Sequence, residues 1–458
     1  MLFMGWYDRL INMLPEVAPP TQKRLDFKTK LKWTGVVLGL YFILKYIPLY
    51  GLGQNSLAQF QSLSIILGAS FGSVISLGIG PIVTASIVLQ LVNGSGLFKF
   101  DLSSHEGKAR FQGTQKLLAI FFTVFEAGVY VLMGGLAPDP ALAGTGAYAS
   151  MQLILIVQLI IGGLMIMLMD EISSKWGLGS GVSLFIAAGV SESLFIRLFS
   201  FLRAEGGQFV GAIPGIIQNV TAGQLDVAFL LLFSIISTLV VFGIAVFAQA
   251  MKVEIPLSFG RIRGHGVRWP LNFLYTSNLP VILIAALLAN IQLGTTLLSN
   301  KFGLNAQAVN AWVNPPNIVG LIIQNKTILI GWLPWAQVLV YTLILVFGAM
   351  IFSYFWVQTS GMDARSQAKQ IMQSGLQVPG FRRDPRVMEH LLDRYIMPLT
   401  IMGGAAVGFV AALADISGAL VRGTGMLLTV MIIYKLYQDT ARQHMMDMNP
   451  MMRKFMGK

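Results

Sequence analysis

The chain is 458 residues long, 55% hydrophobic and only 11% charged, a composition that excludes a soluble globular domain and leaves a polytopic membrane protein. It contains no cysteine, which also excludes a disulfide framework, Cys-ligated zinc and thiol catalysis. The net charge of +12 is informative chiefly through where the basic residues fall.

Residues 1–32 are charged and lack a secretory apolar core and cleavage site, so they are expected to remain as a cytosolic N-terminal segment. Apolar runs follow at 31–50, 72–93, 115–136, 152–169, 181–202, 227–251, 271–293, 336–358, 398–414 and 425–440. Each is close to the roughly 20 residues that carry a helix across a bilayer. An even number of crossings puts both termini on one side, and the basic residues choose that side. Arg9, Lys23, Arg24, Lys28, Lys30 and Lys32 precede or open the first run. Two long basic loops, 252–269 and 360–395, and a basic tail, 441–458, share their side of the membrane. The opposite face receives only Lys45, Arg197, Arg203, Lys301, Lys326 and Arg422. Both termini are therefore expected in the cytosol, with an N-terminal half over 31–203 and a C-terminal half over 227–440.

The segment after the first run breaks the pattern. Between Tyr46 and Phe98 there is no Asp, Glu, Lys, Arg or His, yet Gly, Ser, Asn and Gln recur. That is too long for one crossing and too polar for two ordinary ones. Broken backbone survives at membrane depth only where protein or a water-filled cavity covers it. The expectation is a discontinuous helix lining a pathway, with a short piece near 56–70 and a span from about 72 to 93. This points to a channel or a transporter. An internal echo supports it: Ser76-Leu-Gly-Ile-Gly-Pro81-Ile-Val opens one run, and Ser277-Asn-Leu-Pro280-Val-Ile lies five runs later. Five is odd, so the two copies cross in opposite directions, as an inverted repeat requires. Each proline is expected near the bilayer midplane.

Enzymatic motifs fail on context. Gly68-Ala-Ser70-Phe-Gly72 fits the nucleophile-elbow pattern, but His105, His265, His390 and His444 all fall in expected cytosolic segments, away from Ser70. There is no phosphate-binding loop and no H-E-x-x-H pair. Asn219-Val-Thr and Asn325-Lys-Thr fit the glycosylation pattern, a common chance match. Glu126 is the one carboxylate placed firmly inside a span, a poverty of charge that argues against holding a proton or small ion. Arg261, Arg263, Arg382 and Arg383 exceed what topology alone needs and suit a polyanionic partner such as ribosomal RNA.

The run Ile75-Ser-Leu-Gly-Ile-Gly-Pro-Ile-Val-Thr-Ala-Ser-Ile-Val-Leu-Gln-Leu91 resembles the second-helix signature of the SecY family, the α subunit of the protein-conducting translocon. Asp170-Glu-Ile-Ser-Ser-Lys175, Gly177-Leu-Gly-Ser-Gly-Val-Ser-Leu-Phe-Ile-Ala-Ala-Gly189, Val253-Glu-Ile-Pro-Leu257 and Gly260-Arg-Ile-Arg263 are similar to further family segments. So are Ser277-Asn-Leu-Pro-Val-Ile282, Gly380-Phe-Arg382 and Gly423-Thr-Gly-Met-Leu-Leu428, in order along nearly the whole chain. The wording resembles archaeal members most.

The resemblance implies an all-α polytopic fold, ten transmembrane helices in two inverted five-helix halves, with a short re-entrant plug helix over about 51–70. It implies an apolar pore ring of Ile79, Val83, Val182, Ile186, Ile282 and Leu428, which would dewet, block ions and yield around a passing chain. A mobile plug would carry Gly51, Gly53, Ser56, Phe60, Ser64 and Gly68. Thr84, Glu126 and Asn290 would form a polar cluster at a lateral gate, through which signal sequences and transmembrane segments leave for the lipid bilayer. Arg261, Arg263, Arg382 and Arg383 would dock a ribosome. An amphipathic segment over 19–32 would lie on the membrane beside a SecE or γ-type single-span subunit, with a β-type small subunit often present. The implied function is a channel for unfolded secretory polypeptides in the cell membrane, with no enzymatic activity and no cofactor. The rival reading is an inverted-repeat secondary transporter of a small solute, favoured by the broken helix and opposed by the missing midplane charge.

Overall fold

The computed structural model describes residues 9, 13–22, 25–55, 69–94, 100, 105–203, 207–259, 266–276, 279–302, 306–314, 318, 331–373, 376–377 and 384–448. Among them, a helix answers to every one of the ten apolar runs. In the first half these are α1 (Phe27–Tyr46), α2 (Gly80–Gly94), α3 (His105–Leu132), α4 (Gly146–Trp176) and α5 (Gly181–Phe199). The short α6 (Ala212–Thr221) leads to α7 (Leu225–Ala250) and α8 (Leu279–Phe302). After α9 (Ala306–Val313) comes α10 (Trp332–Thr359), and after α11 (Ala364–Gln373) come α12 (Pro385–Ile416) and α13 (Gly423–Met448). Large apolar side chains such as Ile43, Phe121, Phe125, Phe229, Phe247 and Phe347 stand exposed on the outside, which suits a lipid surround.

Helix ends depart from the hydropathy boundaries for identifiable reasons. The first helix stops at Tyr46 rather than residue 50, because Pro48 disfavours helical backbone at Ile47, which is extended. The second begins at Gly80 rather than 72. Residues 70–80 instead form a stack of tight turns, with Ser73, Ser76, Gly78 and Gly80 each donating its amide to the carbonyl three residues back. Gly72, at φ +98°, takes a left-handed conformation that a larger residue resists. Pro81 and Pro280 accordingly stand in the first turns of α2 and α8, where a missing amide costs nothing. Helices α3 and α12 run well past their apolar cores into charged sequence. There Glu106 pairs with Arg110 at 2.9 Å, and Asp384 caps α12 by accepting from the Arg386 amide at 2.9 Å. Pro398, taken in the sequence as a helix start, lies inside α12.

The helices pack as two groups. In one, α1 and α3 flank α4, α2 packs on α3, and α5 packs on α1 and α4. In the other, α10 packs on α8 and α12, while α13 packs on α7 and α12. The groups meet along two seams, α5 against α13 and α2 against α8 and α10. Close approach rests on small residues: a Cβ at Gly162 of α4 would lie 1.9 Å from the Val74 carbonyl oxygen.

Strands among the described residues are confined to two small sheets. β1 (Gln54–Asn55) pairs antiparallel with β2 (Leu136–Ala137). The loop 252–269 is mostly a hairpin, β3 (Lys252–Phe259) on β4 (Gly266–Asn272), with Ile255 opposite Trp269. β5 (Leu376–Gln377), from the other long basic loop, adds to β3. Ile255, Leu271, Ala368, Ile371, Met388 and Leu392 close a second apolar core beneath them. The two long basic loops thus form one body.

Candidate functional site

The proposed ring residues come from the opening turns of four helices. Ile79 directly precedes α2 and Val83 lies in its first turn; Val182 and Ile186 open α5; Ile282 opens α8; Leu428 lies early in α13. Five of the six are buried and Val182 is half-buried, and all pack in one contiguous apolar core drawn from both helix groups. Above this plug of aliphatics lies a cavity of about 640 Å³. Val83, Val182 and Ile282 reach it, while Gln90, Lys108, Gln112, Gln115, Asp170 and Asp439 give its walls polar character. The arrangement is a funnel, its wall mostly apolar with these polar groups set into it, ending on an apolar neck.

Behind the neck the chain makes a clasp. The Leu49 amide donates to the Gly72 carbonyl at 2.9 Å and the Val74 amide to the Ile47 carbonyl at 3.0 Å. Asn55 donates its side-chain amide to the Phe71 carbonyl at 3.0 Å, and the Gly53 amide donates to the Ala137 carbonyl at 3.0 Å. Gly51 and Gly53 belong to this clasp, whereas Ser56, Phe60, Ser64 and Gly68 lie outside the described residues. The clasp brings residues 47–55 and 69–76 together. Arg261, Arg263, Arg382 and Arg383 also lie outside the described residues. They fall in sequence between β3 and β4 and between β5 and α12.

Thr84, Glu126 and Asn290 come together where α2, α3 and α8 meet. Asn290 donates to the Thr84 hydroxyl oxygen at 2.9 Å, and that hydroxyl stands 2.9 Å from the Gly80 carbonyl and 3.1 Å from Glu126 Oε1. Glu126 Oε2 is buried without a hydrogen-bond partner among the described residues.

Sequence reasoning passed over Glu192 and Asp415, and named Asp170 and Glu171 without their partners. Glu126 is joined inside a span by Glu192 of α5, which forms an ion pair with Lys45 of α1 and accepts from Tyr46 at 3.2 Å. Glu192 lies within the run 181–202, whose surrounding apolar residues outweigh a single charge, and its pairing with Lys45 offsets the cost of carrying it there. Glu171 accepts from Lys116 and Lys175, each at 2.8 Å, and Lys175 also reaches Glu16 at 2.7 Å. Asp170 and Asp415 hold the starts of α5 and α13. The signal for these two lay in their position, shortly before a glycine that opens the last helix of each half.

The SecY family model matches residues 73–437. The chain belongs to the SecY family. It is 43% identical over 468 residues to the protein translocase subunit SecY of Methanothermobacter thermautotrophicus, covering 98% of each chain. A solved protein conducting channel superposes with a TM-score of 0.80 at 37% identity, over 95% of this chain and 97% of that one. Sec61 in the canine ribosome-channel complex from the endoplasmic reticulum gives a TM-score of 0.77 at 36% identity, with the same coverage. The archaeal wording of the motifs agrees with these relatives, and the fold is that of a ten-helix, multi-pass SecY-family membrane protein.

In such a protein the Asn290–Thr84 bond crosses the seam between α2 and α8, so parting the helices breaks it. Interhelical side-chain bonds in membranes average about 0.6 kcal/mol, and an asparagine turned toward lipid loses its partner. Asn290→Leu is therefore expected to ease opening by roughly threefold. The check is translocation of a reporter with a weakened signal sequence, whose export should rise. Unchanged export would show that the cluster does not set the gate.

Proposed function

We propose that this chain is the channel-forming subunit through which unfolded polypeptides cross the membrane, and that signal sequences and transmembrane segments leave it sideways between α2 and α8. The observation that carries this is the neck: aliphatic side chains from the first turns of four helices, contributed by both helix groups, closing the floor of a funnel that carries polar groups in its wall. An apolar constriction of this kind excludes ions by dewetting and offers a passing chain no binding site. No nucleophile, base or metal set is needed, and the chain is not an enzyme.

Within that channel, Ile79, Val83, Val182, Ile186, Ile282 and Leu428 form the ring. Residues 51–70 form the plug, tethered by the clasp at its two ends, and Thr84, Glu126 and Asn290 set the lateral gate. Arg261, Arg263, Arg382 and Arg383 dock a ribosome through its phosphates, a reading supported by the pairing of β3 with β5, which joins the two loops that carry them. Both termini are cytosolic, on the evidence of the basic residues, and the membrane is the cell membrane. A SecE or γ-type single-span subunit and a β-type small subunit complete the complex.

The absence of cysteine makes the test direct. With Ile186→Cys as the only thiol, a stalled, ribosome-bound secretory chain carrying a thiol-reactive probe should crosslink in native membranes, and only when its signal sequence is intact. Failure to crosslink, while a single cysteine near Arg382 still touches the ribosome, would overturn the pore.

A further inference from the structure

In each half, the last helix begins with a glycine seated on the end of the helix before it, beside an aspartate that caps the new helix. Gly181 opens α5, and a Cβ there would lie 2.5 Å from Asp170 Cα. Asp170 Oδ1 accepts from the Val182 amide at 2.9 Å and from the Ser180 hydroxyl at 3.2 Å. Gly423 opens α13, and a Cβ there would lie 2.0 Å from Ala414 Cβ. The next residue, Asp415, accepts from the Thr424 amide at 3.0 Å. Its Oδ2 takes the Tyr341 hydroxyl at 2.6 Å and lies 3.0 Å from the Thr424 hydroxyl. An odd number of crossings separates α5 from α13, so one device recurs on two inverted halves.

Each glycine leads directly into the neck. Ile186 and Leu428 both stand five residues beyond it, at Gly181 and Gly423. Val83 and Ile282 likewise both stand two residues beyond a proline, Pro81 and Pro280. The inverted repeat therefore matches four of the six neck residues in two pairs. Val182 is matched by Thr424, whose hydroxyl faces Asp415, and Ile79 by Asn278 in the sequence, which is why the first half gives the neck more apolar side chains than the second.

We propose that Asp170 and Asp415 are positioning residues for the seal. Each holds the first-turn amide of one neck-lining helix and so fixes that helix's height and rotation against the helix before it. The first amides of a helix have no partner within it, and a carboxylate accepting from them also meets the positive end of the helix dipole. Ser180 and Thr424 add a hydroxyl to each grip. Released from either aspartate, α5 or α13 can shift by a fraction of a turn, enough to separate Ile186 from Leu428 and admit water. Resting on the proposed channel function, this assigns the closed state to two polar clamps, both outside the apolar ring.

The test is resting ion conductance of the full chain, purified with its small subunits, in planar bilayers. Asp170→Ala and Asp415→Ala should each raise it on the order of tenfold, the effect of losing a charge-assisted cap. Asp170→Asn keeps an acceptor at Oδ1 and should stay near the parent value, a rescue that a loss of general stability would not show. Should the alanine variants fail to accumulate in the membrane, Ser180→Ala and Thr424→Val carry the test with a milder leak. Parent-like conductance in the alanine variants, or in the milder pair where those are used, overturns the proposal, as does an Asp170→Asn channel that leaks like Asp170→Ala. The nascent-chain crosslink from Ile186→Cys in the otherwise unchanged chain, run in parallel, separates the two readings: that crosslink together with alanine variants that do not leak sinks the clamps alone, and its absence sinks the channel.

Discussion

Gly162→Ala is expected to lower the thermal unfolding midpoint of the full chain sharply, with a loss of about 3 kcal/mol or more from a single methyl group. That methyl would sit 1.9 Å from the Val74 carbonyl oxygen and 2.8 Å from its carbon. Neither side can yield cheaply. Gly162 lies mid-way along an unbroken helix, and Val74 belongs to the turn stack, where its amide is bonded to Ile47 and its neighbours Ser73 and Ser76 are buried. Shifting the stack would also disturb the clasp that holds the two ends of the 56–68 segment, so survivors should leak ions. Gly128→Ala in α3 is the control, since a Cβ there meets nothing within 4 Å and the change should stay within about 0.5 kcal/mol. An unchanged midpoint for Gly162→Ala would mean that α4 does not press on the stack.

How much of this was legible in the sequence differs between elements and site. Hydropathy finds every crossing, because a helix in lipid must be apolar on nearly all sides and that pattern survives any packing. It misplaces ends wherever helix and lipid part company. The windows stop where α3 and α12 become charged, although the backbone helix continues through the charged sequence. They also run through Pro48 and the turn stack, which are apolar yet not helical. The hairpin β3–β4 was hidden because its tertiary partner, β5, comes from a loop more than a hundred residues away. The gate cluster is different. Thr84, Glu126 and Asn290 could be named from motif wording, but the direction of their bonds and the orphaned Glu126 oxygen need three helices in place. The ion pair of Glu192 with Lys45 was invisible for the same reason: two charges in separate runs say nothing about each other until α1 and α5 pack.

Ile186→Asp should convert the neck from a seal to a leak, raising resting conductance by a hundredfold or more. Ile186 is fully buried among the aliphatics of both helix groups. Two terms act in one direction. Losing a buried isoleucine removes about 3 kcal/mol of burial from the closed state. An unpaired carboxylate there adds a desolvation cost of several kcal/mol, which the molecule escapes most easily by letting water in. A helical bundle whose lumen already opens into a funnel with polar groups in its wall has that escape within one side chain's reach, so the protein should fold and wet its neck. Ile186→Leu separates charge from shape: it keeps the volume, costs less than about 1.5 kcal/mol, and should hold ions back as the parent does. Single-channel recording on both variants decides the matter. If the aspartate channel stays as tight as the leucine one, Ile186 does not face the conducting path, and the seal must be sought elsewhere in the chain.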